Sequence, residues 1–331
     1  MNNTWTKAGL LGAAVLMIVC RGVAAPAETE ISSNAGLPEG YKVIEGDIVV
    51  PVDFSFEDRG GLGVQGVFAT NWWAGGIVPY AFADDVTAAN RTNAINAMAE
   101  WEAVANLDFV ALTTQSDYIE FINSGSNRSA VGRSGGRQTI EIVSWGSRFI
   151  IAHEVGHALG LWHEQSRSDR DTYITVNLAN IEDDKEHNFS RHDEADTYGG
   201  YDFDSVMHYG QCGFTICDCP AACTAITVNA PWHAEWQDAI GQRDHFSTLD
   251  ILTIQMLYSE PGDTFVDKNY TGVTQNGSFL APYKTFTAGA SHVPPHGRVI
   301  IQPGTYTASA GVYTKAMTLC ARGMLGSVLL K

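Results

Sequence analysis

The chain has 331 residues, 45% of them hydrophobic and 8 of them Trp, and its formal net charge is −17, from 37 acidic against 20 basic residues. That length exceeds one typical domain and can bury a large core, and the apolar content excludes a disordered polypeptide. The acid excess excludes nucleic acid as a partner, because the surface would repel its phosphates, and equally excludes a polybasic membrane anchor.

At the amino terminus Lys7 precedes an apolar run, Ala8 to Val19, too short to span a bilayer as a stable helix. Ala25-Pro26-Ala27 then has the A-x-A form of a signal-peptidase site, so residues 1–27 read as a signal peptide and the protein as secreted, extracellular. The competing reading is an uncleaved anchor or a lipoprotein, although Val19 and Arg21 around Cys20 suit lipid modification poorly. No later stretch is long and apolar enough for a membrane span.

Residues 28–63 read as a pro-segment, rich in Pro, Gly and acidic residues, with one strand-like run from Asp47 to Val52 and a cuttable glycine-rich stretch after Arg59. A compact domain follows over 64–260. Ile95, Met98, Trp101 and Val104 recur at helical spacing within Ala88 to Ala105. Leu107 to Leu112, Tyr118 to Ile122 and Thr139 to Val143 alternate like strands, and Phe149 to Leu161 reads as a buried helix. Ser247-Thr248-Leu249-Asp250 resembles a capping box before an apolar helix from Ile251 to Tyr258. This order implies an α+β domain. Residues 261–331 shift towards Gly, Thr, Val and Tyr without helix periodicity, and read as a β-rich module.

After loss of Cys20 five cysteines remain, of which Cys212, Cys217, Cys219 and Cys223 lie within twelve residues. In an exported protein this clustering favours local disulfides over a small structural zinc site, with the pairing open and Cys320 left odd.

The chemistry lies in the string from His153 to Glu164. Residues four apart share a helix face, so His153 and His157 can present two imidazoles to one ion, with Glu154 one position along. Gly160 lets the helix stop and the chain reverse, which brings in His163 from another direction. Three neutral imidazoles and an open position describe a catalytic zinc site. A glycine and a third histidine at fixed offsets make chance agreement about a thousandfold rarer than for H-E-x-x-H alone.

About forty residues on stands Ser205-Val206-Met207-His208-Tyr209-Gly210. The extended histidine motif with this methionine turn resembles the metzincin peptidases, and His163-Glu164 with Ser205-x-Met207-His208-Tyr209 resembles the astacin family. The similarity runs from about Trp73 to Tyr258 and includes Gly75-Gly76-Ile77-Val78-Pro79-Tyr80, Ser116-Asp117-Tyr118-Ile119-Glu120 and Arg167-x-Asp169-Arg170-Asp171. The resemblance implies a zincin fold with an active-site helix and a twisted sheet, and one catalytic Zn2+ held by His153, His157 and His163. It implies Glu154 as general base and then acid, Met207 as an apolar floor, and Tyr209 as a displaceable ligand that then stabilises the oxyanion. Without the family, Tyr209 would read as a core tyrosine.

Ile44-Glu45-Gly46-Asp47 matches the end of the family's F-x-G-D latency motif, with Ile for the usual Phe, making Asp47 the candidate blocking ligand over an ordinary turn aspartate. By similarity the mature amino terminus falls near Val64 and salt-bridges Glu164, with Arg59-Gly60 an alternative cut for an activating protease. Unlike the animal members, this chain has Leu107, Arg128 and Trp145 roughly where cysteines are expected. Phe265-Val266-Asp267 to Pro303-Gly304-Thr305-Tyr306 resembles the opening of a right-handed parallel β-helix, abbreviated here, an appendage for a surface or polysaccharide. The expected function is hydrolysis of protein or peptide substrates by a secreted, latent endopeptidase. The contrasting readings are a zinc-containing adhesion protein with a vestigial catalytic domain, against which the intact catalytic positions speak, and a polysaccharide lyase, for which length and an acid–base cluster are lacking.

Overall fold

The computed structural model describes residue 37 and residues 39–54, 72–192, 200–259, 262–278, 281–302, 304–307, 313–321 and 328–331. The proposed signal peptide, Arg59-Gly60 and Val64 lie outside the described residues.

Residues 41–51 form a hairpin, β1 (Tyr41–Ile44) and β2 (Ile48–Pro51), where the sequence suggests one strand. The half-exposed β1 carries little apolar alternation of its own and forms because β2 pairs with it. Their turn requires positive φ at Glu45 (50°) and Gly46 (76°). There follow β3 (Ile77–Phe82), α1 (Ala88–Glu102), β4 (Asp108–Ala111), β5 (Tyr118–Asn123), β6 (Arg128–Ala130), β7 (Arg137–Ile142) and α2 (Arg148–Ala158). The seven strands form one sheet in the order β1-β2-β6-β7-β5-β3-β4. The hairpin joins it through a parallel pairing of β2 with β6, begun by Ser129 N donating to Asp47 O at 2.9 Å.

Helices α1 and α2 pack together over this sheet, with Trp101, Phe121, Ile140, Ile142 and Ile151 fully buried between them. Trp101 Nε1 donates to Ala152 O at 2.9 Å, so the ring's polar edge is satisfied inside the core. A second core of Tyr201, Phe203, Ile226, Val228 and neighbours lies around the short β8 (Ile174–Val176), β9 (Ile226–Val228) and α3 (His233–Trp236).

Helix α4 (Thr248–Leu257) begins with the expected capping box, Ser247 and Asp250 each bonding the other's backbone N–H. Asp250 does more than cap, because it also accepts from Ser205 Oγ at 2.7 Å and Val206 N at 2.8 Å, fastening the methionine turn to α4. Asp250→Ala orphans these buried donors and is expected to cost about 2–4 kcal/mol. The check is a thermal melt, in which an unchanged midpoint would contradict the fastening.

The remaining elements are β10 (Asp263–Val266), α5 (Phe286–His292), β11 (Arg298–Ile301), β12 (Gly304–Tyr306), β13 (Thr318–Ala321) and β14 (Val328–Leu330). β10, β11 and β13 run parallel in register, as do β12 and β14. Helix α5 departs from the expectation of no helix here. Its seven residues are too few to display a period, and it is set by the Thr285 cap and by Gly289 lying against Val266. Met256, Phe265 and Ile300 form a small core between α4 and the parallel strands.

The clustered cysteines pair as Cys212–Cys219 and Cys217–Cys223, two overlapping short loops, and Cys320 is free. Leu107, Arg128 and Trp145 are all buried. Arg128 meets Glu141 at 2.9 Å and Trp145 Nε1 donates to Asn123 Oδ1 at 2.8 Å, cross-strand ties in place of absent disulfides.

Candidate metal centre

Helix α2 ends in a turn that closes every carbonyl. Leu161 N donates to Gly156 O and Gly160 N to His157 O, the Schellman pair, with Gly160 at φ 109°. Trp73 Nε1 takes Ala158 O and Tyr258 Oη takes Leu159 O, each at 2.9 Å. The helix terminus is thus fixed from two elements, and the reversal carries His163 back to the face that bears His153 and His157.

The three imidazoles are almost fully buried. His153 Nδ1 donates to Val206 O at 2.8 Å, His157 Nδ1 to Leu161 O at 2.7 Å, and His163 Nδ1 to Glu45 Oε2 at 2.8 Å. With each Nδ1 committed as donor, each neutral ring turns an Nε2 lone pair inward. The Nε2 of His153 then lies 3.1 Å from that of His157 and 3.3 Å from that of His163. Lone pairs so close repel unless a cation lies between them, and tetrahedral Zn–N bonds set N···N at about 3.3 Å. The residues fit one zinc ion.

Asp47 takes the remaining side: a carboxylate oxygen lies 3.2 Å from Nε2 of His153 and another 3.2 Å from that of His163. These four residues bring their ligand atoms within 4.8 Å of one another. Burial opposes ionisation of Asp47, but the charge of His163 and hydrogen bonds from His153, His157 and His163 together outweigh it and hold the carboxyl well below the usual range. Burial likewise opposes charging of His163, yet Asp47 and Glu45 raise it to about 9. A divalent ion on the Nε2 side reverses that preference and keeps the ring neutral.

Glu154 is buried one helical step from His153. Met207 lies under α2, its Sδ 3.0 Å from where a Cβ on Gly156 would be, so that glycine is needed for close approach. Tyr209 stacks edgewise on His163 at 4.6 Å between centroids, and its hydroxyl donates to Glu45 O. His208 is kept out of the cluster: burial pushes it down to about 4, and its neutral ring donates to Tyr209 O and faces Tyr201 Oη at 2.7 Å.

Glu164 lies 3.3 Å from Arg167 and accepts from Asp202 N at 2.8 Å. Burial raises it to about 8 and Asp202 to about 7.

Sequence reasoning missed Glu45, Asn188 and His192. Glu45 bridges the His163 and His192 rings, which together overcome burial and lower its carboxyl to about 2. Asn188 Oδ1 accepts from Gly46 N at 3.0 Å. The neighbouring G-D pair was the only signal for Glu45; nothing local marks Asn188 or His192.

A zincin-like α+β architecture with one zinc held at a histidine-rich helix turn defines a metallopeptidase. Residues 67–259 match the peptidase family described as Astacin, and the chain belongs to that family of zinc metalloendopeptidases. It is 32% identical over 220 residues to high choriolytic enzyme 1 of Oryzias latipes, covering 66% of this chain and 78% of that one. It is 34% identical over 230 residues to the astacin-like metalloendopeptidase of Mus musculus, covering 67% of this chain and 49% of the relative. The solved structure of the medaka protein, described as a hatching enzyme zinc-protease, superposes with TM-score 0.51 at 33% identity, over 58% of this chain and 94% of that chain.

Proposed function

We propose that this chain is a secreted endopeptidase made as a latent precursor, with residues 1–27 as signal peptide, 28–63 as pro-segment, 64–260 as catalytic domain and 261–331 as appendage. His153, His157 and His163 hold the zinc. The ion when bound lowers the pKa of its water towards about 7 and polarises the scissile carbonyl. Glu154 accepts a proton from the attacking water and passes it to the leaving amine. Tyr209, once freed from Glu45 O, turns its hydroxyl to the developing oxyanion. An extended substrate adds to the β6 edge that β2 covers in the precursor.

The observation that carries this reading is the inward convergence of three Nε2 atoms whose opposite nitrogens are all engaged. Latency is supported by Asp47 on the open side. Maturation is supported by a cavity of about 30 Å3 lined by the acids Glu164, Asp202 and Asp250 and, among the described residues, by one cation, Arg167, which leaves room for the positive charge of a new amino terminus near Val64. Parallel, in-register β10, β11 and β13 support reading the appendage as an abbreviated right-handed β-helix that engages a surface or polysaccharide.

Metal analysis of the purified protein is expected to find one zinc per chain. After pro-segment removal by a trypsin-like protease, casein should yield internal fragments by mass spectrometry, and a chelator should abolish this. Undiminished cleavage by metal-free protein would overturn the proposal.

A further inference from the structure

Each of the three metal-facing rings is held from behind, but not by the same part of the chain. His153 Nδ1 donates to Val206 O at 2.8 Å and His157 Nδ1 to Leu161 O at 2.7 Å. Val206 is itself tied to α4 through its N–H on Asp250, and Leu161 N closes the α2 turn on Gly156 O. His163 Nδ1 instead donates to Glu45 Oε2 at 2.8 Å, across 118 positions of sequence. Two ligands therefore keep their partners whatever becomes of the β1–β2 hairpin, and the third does not.

Glu45 is firmly placed for this contact. It is 1% exposed, and its other carboxylate oxygen meets the His192 ring. His192 is in turn fixed, its N–H donating to Ser166 O at 2.8 Å and its ring meeting Trp162 edge-on at 5.1 Å between centroids. The backbone at Glu45 has φ 50°, which glycine adopts at lower cost, so the turn itself needs no side chain there. Asp47, two residues on, lies 3.2 Å from Nε2 of the same His163 ring. The hairpin thus sets a carboxylate at each nitrogen of one ligand. An imidazole whose far N–H is held by a carboxylate is better oriented and more basic towards a metal, and losing such a partner costs about 10- to 100-fold in metal affinity.

We propose that the hairpin is a zinc-retention device, in which Glu45 is a positioning residue for the ligand His163, so that the precursor holds the ion more tightly than the activated chain. This rests on the endopeptidase reading with residues 28–63 removed on activation, and it adds a second consequence of that cut: opening the cleft also loosens the metal.

The test equilibrates the full-length precursor and the activated chain with a chromogenic chelator of known zinc affinity, and the partition of zinc gives each dissociation constant. Equilibrium matters, because a hairpin acting only as a lid slows entry and exit alike and leaves that constant unchanged. The activated chain should bind zinc at least about tenfold more weakly than the precursor. Glu45→Ala in the uncut chain should weaken binding about tenfold, and Glu45→Gln, whose amide oxygen still accepts from Nδ1 without the charge, about threefold. Hydrogen exchange at Ser129 N, which donates to Asp47 O at 2.9 Å, shows whether the hairpin stays docked in each variant.

Equal affinity of precursor and activated chain, or unaltered affinity in both variants, overturns the device. A fall that occurs only with loss of Ser129 protection assigns retention to Asp47 and overturns the role of Glu45. Casein digestion by the same activated sample separates this from failure of the hydrolase reading. A tenfold difference in affinity without cleavage refutes the hydrolase and keeps the device; cleavage with equal affinities refutes the device alone.

Discussion

Glu154→Gln is expected to lower kcat/KM of the activated protein about 1,000-fold, or about 4 kcal/mol of transition-state stabilisation, while one zinc remains bound per chain. The separation of the two effects follows from where the groups lie. The imidazoles are held by Val206 O, Leu161 O and Glu45 Oε2, none of which the substitution touches. Once the hairpin leaves, His163 loses only the third of these. Gln is close to Glu in size and polarity, so the buried position on α2 is preserved, but the amide cannot accept a proton from water and return it to an amine. Steady-state kinetics on a quenched peptide, together with metal analysis of the same sample, reads both. Near wild-type turnover with zinc in place would remove Glu154 from the proton pathway.

The parts of this molecule that could be read from sequence are those whose causes are local. His153 and His157 are related by the helix period, Gly160 by its unique tolerance of φ 109°, and α4 by a capping box within four residues. Methionine-turn spacing located Met207 and Tyr209 only through family resemblance, since neither has a neighbour in sequence that betrays its role. What remained hidden depends on contacts between distant segments. Glu45 reaches His163 across 118 positions and Asn188 reaches Gly46 across 142, and neither residue type is diagnostic. The pairing of four close cysteines was equally invisible, because three connectivities suit the same spacing. The region from 173 to 240 looked irregular because its elements, β8, β9 and α3, are only three or four residues long and are organised by an aromatic core.

Asp47→Ala should give an uncut precursor with partial activity, and the partial character is the informative feature. Asp47 holds the side of the metal cluster where substrate must enter, so its loss opens that position. The hairpin, however, keeps other attachments: the β2–β6 pairing, Gly46 N on Asn188, Glu45 between two imidazoles, the Tyr209 hydroxyl on Glu45 O, and Ile48 and Val50 packed with Trp162. Each charged hydrogen-bonding group contributes about 1.5–3 kcal/mol, roughly 10- to 100-fold in the docked population. A rise of about tenfold in peptide turnover is therefore expected for Asp47→Ala. The Glu45→Ala/Asp47→Ala chain should come within a few-fold of the activated protein, since it loses both carboxylates and the hold on His163 and His192. Intact mass must show the pro-segment still attached in each case, so that the gain reflects undocking and not cleavage. If single and double variants are both as silent as the unaltered precursor, then strand pairing and steric cover by β2 maintain latency, and the carboxylate on the metal side is incidental to it.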